Sequence, residues 1–323
     1  MPDFRTIVPL PPQAVAIGPQ TRCLFLGSCF ADEVGARLKA QGVRATINPT
    51  GVLYNMESIR LTLERWLAAD SGGQAADGVY QGADGLWHNH FHDSRSDGVT
   101  EAACRAVSRQ RDAAGADALR GADLLFVTAG TNRLYRHRSG GLTVTNCHRQ
   151  PAAVFDEVEQ DVDEIVASWQ ALLQRLPQDL QVVFTVSPYR YAKYGLHQSQ
   201  LAKATLLLAT DRLQAANARC HYFPAYEIVQ DELRDYRFYA PDMLHVAPVA
   251  ADYIAGRLTQ WAFTPPMQAL ATEWQALARR LAHRPRRTDT PEWQAFQEET
   301  RARLAQFEKR WGRTPADGER HDL

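Results

Sequence analysis

Hydrophobic and polar positions along this chain keep switching between two periods. Cys23-Leu24-Phe25-Leu26 is an uninterrupted apolar run ended by Gly27, which reads as a short buried strand. Phe30, Val34 and Leu38 then recur four apart, so residues 30–40 read as a helix with one apolar face. Residues 43–47 read as a second strand, stopped by the turn sequence Asn48-Pro49-Thr50-Gly51. The alternation continues with helices over 58–67 and 101–119, a third strand over 123–128 and a long amphipathic helix over 154–176. A fourth strand over 181–186, a helix over 198–216 and a fifth strand over 220–223 follow. Pro248 opens a further helix reaching about Trp261, at the first helical position, where proline is tolerated. Residues 70–98 are rich in Gly and Asp, with strand-like pieces at 78–81 and 86–91, and read as an insertion near the rim of a site. Leu134–Tyr135 and 142–145, split by Ser139-Gly140-Gly141, read as a small hairpin.

Strands alternating with helices predict an α/β fold whose parallel sheet is covered on both faces. Functional residues in such sheets gather at the carboxyl ends of the strands. The turns Gly27-Ser28, Pro49-Thr50-Gly51, Gly130-Thr131-Asn132 and Ser187-Pro188 all fall at those ends and are expected to converge. Past Pro265-Pro266 the character changes. Residues 268–283 and 292–311 read as charged helices separated by the Arg-rich break at 284–287. This divides the chain into residues 1–263 and a helical C-terminal extension, 264–323. The extension is expected to pack through Trp274, Trp293, Phe296 and Trp311, with an oligomerisation or partner-binding arm as the alternative.

Composition narrows the function classes. With 323 residues, 45% hydrophobic and 23% charged, the chain is long enough for one large α/β domain plus an extension. A formal net charge of -1 gives no reason to expect nucleic acid as a partner. No apolar stretch reaches membrane-spanning length, and the start lacks a basic segment leading into a long apolar run, so neither membrane insertion nor a signal peptide is expected. Five scattered cysteines without a CxxC pair read as thiols in a reducing compartment, and a cytoplasmic location is the expectation.

Two segments carry candidate chemistry. Ser28 stands between a strand and a helix, where amide groups and the helix dipole favour a developing negative charge. A capping serine would look the same in sequence. Asp242 and His245 stand three apart in Asp242-Met243-Leu244-His245, a spacing that lets the carboxylate orient the imidazole as a base for a serine nucleophile. Cys29 shares the helix N-terminus, where a thiol can be nucleophilic, but is read as a core or supporting residue. His88, His90 and His92 alternate, as ligands on one face of a strand would, yet no distant carboxylate or cysteine partner is evident, so no metal is assigned. Arg190, His197 and Lys203 follow the fourth strand and are candidates for facing an anionic or carbohydrate substrate, with an ordinary polar face as the alternative.

Together these segments resemble the GSCFA family, a branch of the SGNH hydrolase superfamily. The resemblance rests on Gly27-Ser28-Cys29-Phe30-Ala31, Asn48-Pro49, Gly51-Val52-Leu53-Tyr54-Asn55, Asn146-Cys147-His148 and Pro151, and Ser187-Pro188. It continues through Ser199-Gln200-Leu201-Ala202-Lys203-Ala204 and Asp231-Glu232-Leu233-Arg234-Asp235-Tyr236 to Asp242 and His245. It covers roughly residues 20–262 and leaves the tail outside. The resemblance implies a three-layer sandwich around a five-stranded parallel sheet, and a Ser28–His245–Asp242 triad. It also implies an oxyanion hole from the Ser28 and Gly51 amides and an asparagine: Asn132, with Asn55 and Asn146 as alternatives. The expected activity is cofactor-free hydrolysis of a carboxylic ester, such as an O-acetyl group on a glycan or another small ester, with Asn55, Arg190 and His197 contacting substrate. An acyltransferase using the same site, a non-catalytic binding module and a metal-dependent hydrolase built on His88, His90 and His92 are the competing readings.

Overall fold

The computed structural model describes residues 5–70, 78–148 and 150–313. Residues 71–77 of the expected insertion lie outside the described residues. Strand β1 (Arg22–Gly27) leads into helix α1 (Cys29–Ala40) and strand β2 (Arg44–Ile47). Helix α2 (Met56–Asp70), the hairpin β3 (Val79–Gln81) and β4 (Trp87–Asn89), and helix α3 (Glu101–Gly121) follow. Next come β5 (Leu124–Ala129), β6 (Arg133–His137), β7 (Thr143–Val144), β8 (Phe155–Glu159) and α4 (Val162–Leu173). The chain continues through β9 (Gln181–Val186), α5 (Leu196–Ala216), β10 (Cys220–Tyr222) and the single turn α6 (Ala225–Glu227). It ends in α7 (Pro248–Ala262), α8 (Pro265–Leu281) and α9 (Pro291–Trp311).

Five strands form one parallel sheet in the order β10-β9-β5-β1-β2. Its two faces are built from alternate residues of the same strands. Cys23 and Phe25 of β1, with Leu124 and Phe126 of β5, enter one core under α1, α7 and α8. Leu24 and Leu26, with Leu125 and Val127, enter the other under α2, α4 and α5. Burial on both sides is why these strands read as continuous apolar runs rather than alternating ones. Phe25 stacks on Phe126 with ring centroids 4.4 Å apart, tying the two central strands together.

The order of strand addition reverses at β1, since β2 lies to one side of it and β5 to the other. The crevice above β1 and β5 is therefore the topological switch point, the usual place for a ligand in an open α/β sheet. Two small antiparallel units flank it: the β3–β4 hairpin and the three-stranded sheet β7-β6-β8.

One expectation fails here. Residues 155–159 are an edge strand, and the helix predicted from 154 begins at Val162. Arg133 on β6 explains the difference, because it pairs with Glu157 at 3.1 Å and Glu159 at 2.5 Å across the ladder. Asp161 then caps the helix in a capping box with Glu164.

The tail packs into the main core. Met267, Leu270, Leu277 and Phe307 join the cluster that holds Phe25 and Phe126. Trp274 packs against Phe307 at 5.5 Å, Trp293 stacks on Phe296 at 5.4 Å, and Trp311 is partly buried against the same core. No helix among the described residues is long and apolar enough to cross a membrane.

Candidate active site

The β1–α1 turn depends on glycine. Gly27 has φ +145°, and a Cβ there would sit 2.1 Å from the Thr128 carbonyl oxygen, so any side chain would push β1 off β5. Ser28 follows as the residue preceding α1, with φ -63° and ψ 173°. Its side chain makes no capping bond. Ser28 is 2% exposed, and its Oγ has no hydrogen-bond partner among the described residues. A capping serine accepts from the second or third amide of its helix, so Ser28 is not one. The Ser28–His245 hydrogen bond of a closed triad is not made in this structure.

Cys29 is half-buried at the first helical position. Burial and the Asp32 carboxylate push the thiol up, and the neighbouring Phe30 and Cys29 amides only partly offset them.

Asp242 and His245 come together on the loop before α7. Asp242 Oδ2 lies 2.5 Å from His245 Nδ1. Asp242 Oδ1 accepts the backbone N–H groups of Leu244 (2.9 Å) and His245 (3.0 Å), which explains the spacing of three. His245 foremost, and then those two amides, hold the Asp242 carboxyl down at about 2. Met243 between them takes a left-handed φ of +59°.

The loop after β9 holds this segment. The Arg190 amide donates to the Leu244 carbonyl (3.0 Å), and Arg190 Nη1 donates to the Met243 carbonyl (3.1 Å). Tyr189 lies against the His245 ring at 4.5 Å. Burial raises the Tyr189 phenol, as do the charges of Cys29 and Asp242. Tyr54 is raised by burial and then by Cys29, Tyr189 and Asp32. Around Gly130 the Tyr54 carbonyl, Ser187 and Ser28 converge, since a Cβ there would lie 3.4, 3.9 and 3.9 Å from them, and Tyr189, two residues past Ser187, carries the His245 ring. Neither tyrosine was singled out from the sequence, where nothing distinguishes a rim tyrosine from any other.

Lys203 lies beneath the crevice. It is 2% exposed, and its Nζ donates to the carbonyls of Gly130 (2.5 Å) and Ser187 (2.7 Å), joining the loops after β5 and β9. Burial pulls its ammonium down to about 7, with the Cys29 charge opposing. It is a brace rather than a substrate contact. Lys203→Met should cost about 2 kcal/mol, because two buried carbonyls lose their donor. Thermal unfolding would show this as a Tm lower by several degrees; an unchanged Tm would remove Lys203 from this role.

The implied oxyanion donors are largely engaged. The Ser28 amide donates to Thr128 O at 3.0 Å and the Gly51 amide to Asn48 O at 3.0 Å. A backbone amide has one hydrogen, so neither is available while these bonds hold. Gly51 has φ +117° and packs so tightly that a Cβ would meet Asp93 at 2.6 Å. Asn132 Nδ2 donates to Gln160 O at 2.9 Å but carries a second hydrogen, and its Oδ1 is buried without a partner. Asn55 accepts from the Ser58 amide at 2.7 Å at the start of α2, and Thr131 pairs beside it. Asn146 sits apart, bonded to His90 O and the His148 amide. His197 is exposed on α5.

The histidines divide differently from the sequence reading. β4 ends at Asn89, so His90 and His92 lie beyond the strand. His92 turns to Ser96 (2.9 Å) and Asp112 (3.2 Å). His88 instead meets Asp97 (2.9 Å), and His148 approaches the same carboxylate (3.7 Å).

Comparison with known proteins gives two matches. A profile described as the GSCFA family matches residues 22–258, and one described as the GSCFA domain protein, C-terminal domain, matches residues 274–321. The tail, outside the resemblance drawn from the sequence, thus has a family match of its own. No curated protein and no solved structure matches the chain.

Proposed function

The chain belongs to the GSCFA family, and from that premise we propose that it is an SGNH-type serine hydrolase acting on carboxylic esters through an acyl-enzyme. What supports the reading is a non-capping Ser28 hydroxyl at the switch point, unpartnered among the described residues, together with an Asp242–His245 pair held by the loop after β9. An unpaired buried hydroxyl costs about 1–3 kcal/mol. A role in catalysis accounts for keeping one.

Asp242 accepts the Nδ1–H of His245, which leaves Nε2 as the base. The reading requires Ser28 Oγ to turn toward that nitrogen. His245 takes the hydroxyl proton while Oγ bonds to the ester carbonyl carbon. The tetrahedral oxyanion is met by the Cys29 amide and by the second Asn132 hydrogen, donors aimed at charge present only in the transition state. Collapse expels the alcohol with the proton from His245. Water deprotonated by His245 then attacks the acyl-serine, and the acid leaves as Oγ recovers its proton. Small esters such as O-acetyl groups on a glycan are the substrate class, and Tyr54 and Tyr189 supply the rim that receives them. An alcohol in place of water would make the same site an acyltransferase.

A second reading gives the attack to Cys29, favoured by its half-buried place at the first turn of α1. The raised thiol counts against it, since the thiolate is the nucleophile. Purified protein should hydrolyse short p-nitrophenyl esters and acetylated sugars, and a fluorophosphonate should label Ser28. A folded protein that does neither is a binding module rather than an enzyme.

A further inference from the structure

Outside the crevice, two side chains of the insertion meet a third from the loop after β7. They are His88 on β4, Asp97 before α3 and His148 after β7. His88 Nδ1, Asp97 and His148 each offer one ligand atom, and these atoms all lie within 4.8 Å of one another. His88 is 5% exposed, and the His148 side chain 3%.

The hydrogen bonds around the cluster orient both rings toward it. His88 Nε2 faces the two Asp84 oxygens at 3.0 and 3.2 Å, and His148 Nε2 faces Asn89 O at 2.8 Å. Carboxylates and carbonyls only accept, so each Nε2 carries a proton. In the neutral ring each Nδ1 then presents a lone pair inward. His88 Nδ1 and Asp97 Oδ1 are 2.9 Å apart, yet both are buried and make no hydrogen bond of good geometry among the described residues. Lone pairs converging on a carboxylate repel one another unless a proton or a metal cation lies between them.

We propose that His88 Nδ1, His148 Nδ1 and Asp97 Oδ1 bind a divalent transition-metal ion, zinc in the first instance. Two imidazoles and a carboxylate suit zinc, whose bonds to such atoms run about 2.0–2.2 Å. A tetrahedral ion holds its ligand atoms roughly 3.4 Å apart, which lies between the 2.9 and 3.7 Å found here. Asp84 and the Asn89 carbonyl are the outer partners that fix ring orientation at such a site. A water molecule completes the four ligands.

The ion is a clasp for the insertion and takes no part in ester chemistry. Asp97 directly follows the segment that supports the Gly51 turn. The Asp93 amide donates to Thr50 O at 3.0 Å, and Arg111 joins Pro49 O, Asp93 and Ser96. Metal at Asp97 thereby pins that segment to β4 and to the His148 loop.

The test uses the full chain, stripped with a chelator, desalted and supplied with zinc or cobalt(II). The parent should retain about one equivalent of metal after gel filtration, and cobalt should give the visible absorption of a tetrahedral site. Zinc should raise the Tm of the stripped parent by several degrees. Asp97→Asn keeps the shape of the carboxylate, and His88→Ala and His148→Ala each remove a ring. All three should bind at least 10-fold more weakly and lose the zinc-dependent Tm shift, while His90→Ala should bind as the parent does. If either histidine variant fails to fold, Asp97→Asn decides the question. A folded parent that takes up neither metal would overturn the site and leave His88 as an imidazolium bridging Asp84 and Asp97. A folded Asp97→Asn that binds zinc like the parent would overturn it as well. Ester hydrolysis is read separately, so loss of either proposal is distinguishable from loss of the other.

Discussion

Ser28→Ala should lower kcat on an activated ester by about 10^3-fold or more, as removal of a triad nucleophile does in other serine hydrolases. The size follows from the chemistry. Without Oγ no acyl-enzyme forms, and only oxyanion stabilisation and binding remain. Stability should move the other way or not at all. Ser28 Oγ is buried and unpartnered, so its removal deletes a polar atom that gains nothing in the folded state. Loss of activity with an unchanged or raised Tm is a signature that a capping serine would not give. Cys29→Ala should retain most activity and keep the fluorophosphonate label. The reverse pattern, with Cys29→Ala inactive, Ser28→Ala active and iodoacetamide blocking turnover, would transfer the nucleophile to the thiol.

The second large effect is ordered across the relay. His245→Ala removes the base and should lower kcat/KM as much as Ser28→Ala, whereas Asp242→Asn should be milder. The amide side chain can still accept the Leu244 and His245 backbone N–H groups. It can also donate to His245 Nδ1, which stabilises the wrong tautomer. Members of one catalytic unit are not additive, so the triple variant should be little worse than Ser28→Ala. The pH profile adds a check. The Asp242 carboxyl is held down at about 2, below an ordinary aspartate. A depressed carboxyl keeps its interaction above the ordinary value of about 3.9 and loses it only as the pH falls through the lowered one. An acid limb above pH 4 must therefore belong to a group other than Asp242. Asp242→Asn as active as the parent would leave a Ser28–His245 dyad.

Much of this architecture was readable from sequence because the signals are local. The five core strands show as apolar runs since both faces of a parallel sheet are buried, and the turn residues mark their carboxyl ends. Asp242 and His245 could be paired in advance because three residues of one loop bring carboxylate and imidazole together, with backbone amides closing the turn.

Only the tertiary structure decided the rest. Residues 155–159 suit a helical pattern as well as a strand, and their pairing with Arg133 on β6 settles the matter, since strand preference is a property of neighbours. Whether the Ser28 and Gly51 amides are available depends on single hydrogen bonds to Thr128 O and Asn48 O that no periodicity encodes. His88 found its carboxylate nearby at Asp97 and its second imidazole far off at His148, while the neighbours His90 and His92 went elsewhere. Spacing in sequence determines which side chains share a face of one element. Which atoms of different elements meet is set by how those elements pack and by where each buried polar group finds a partner.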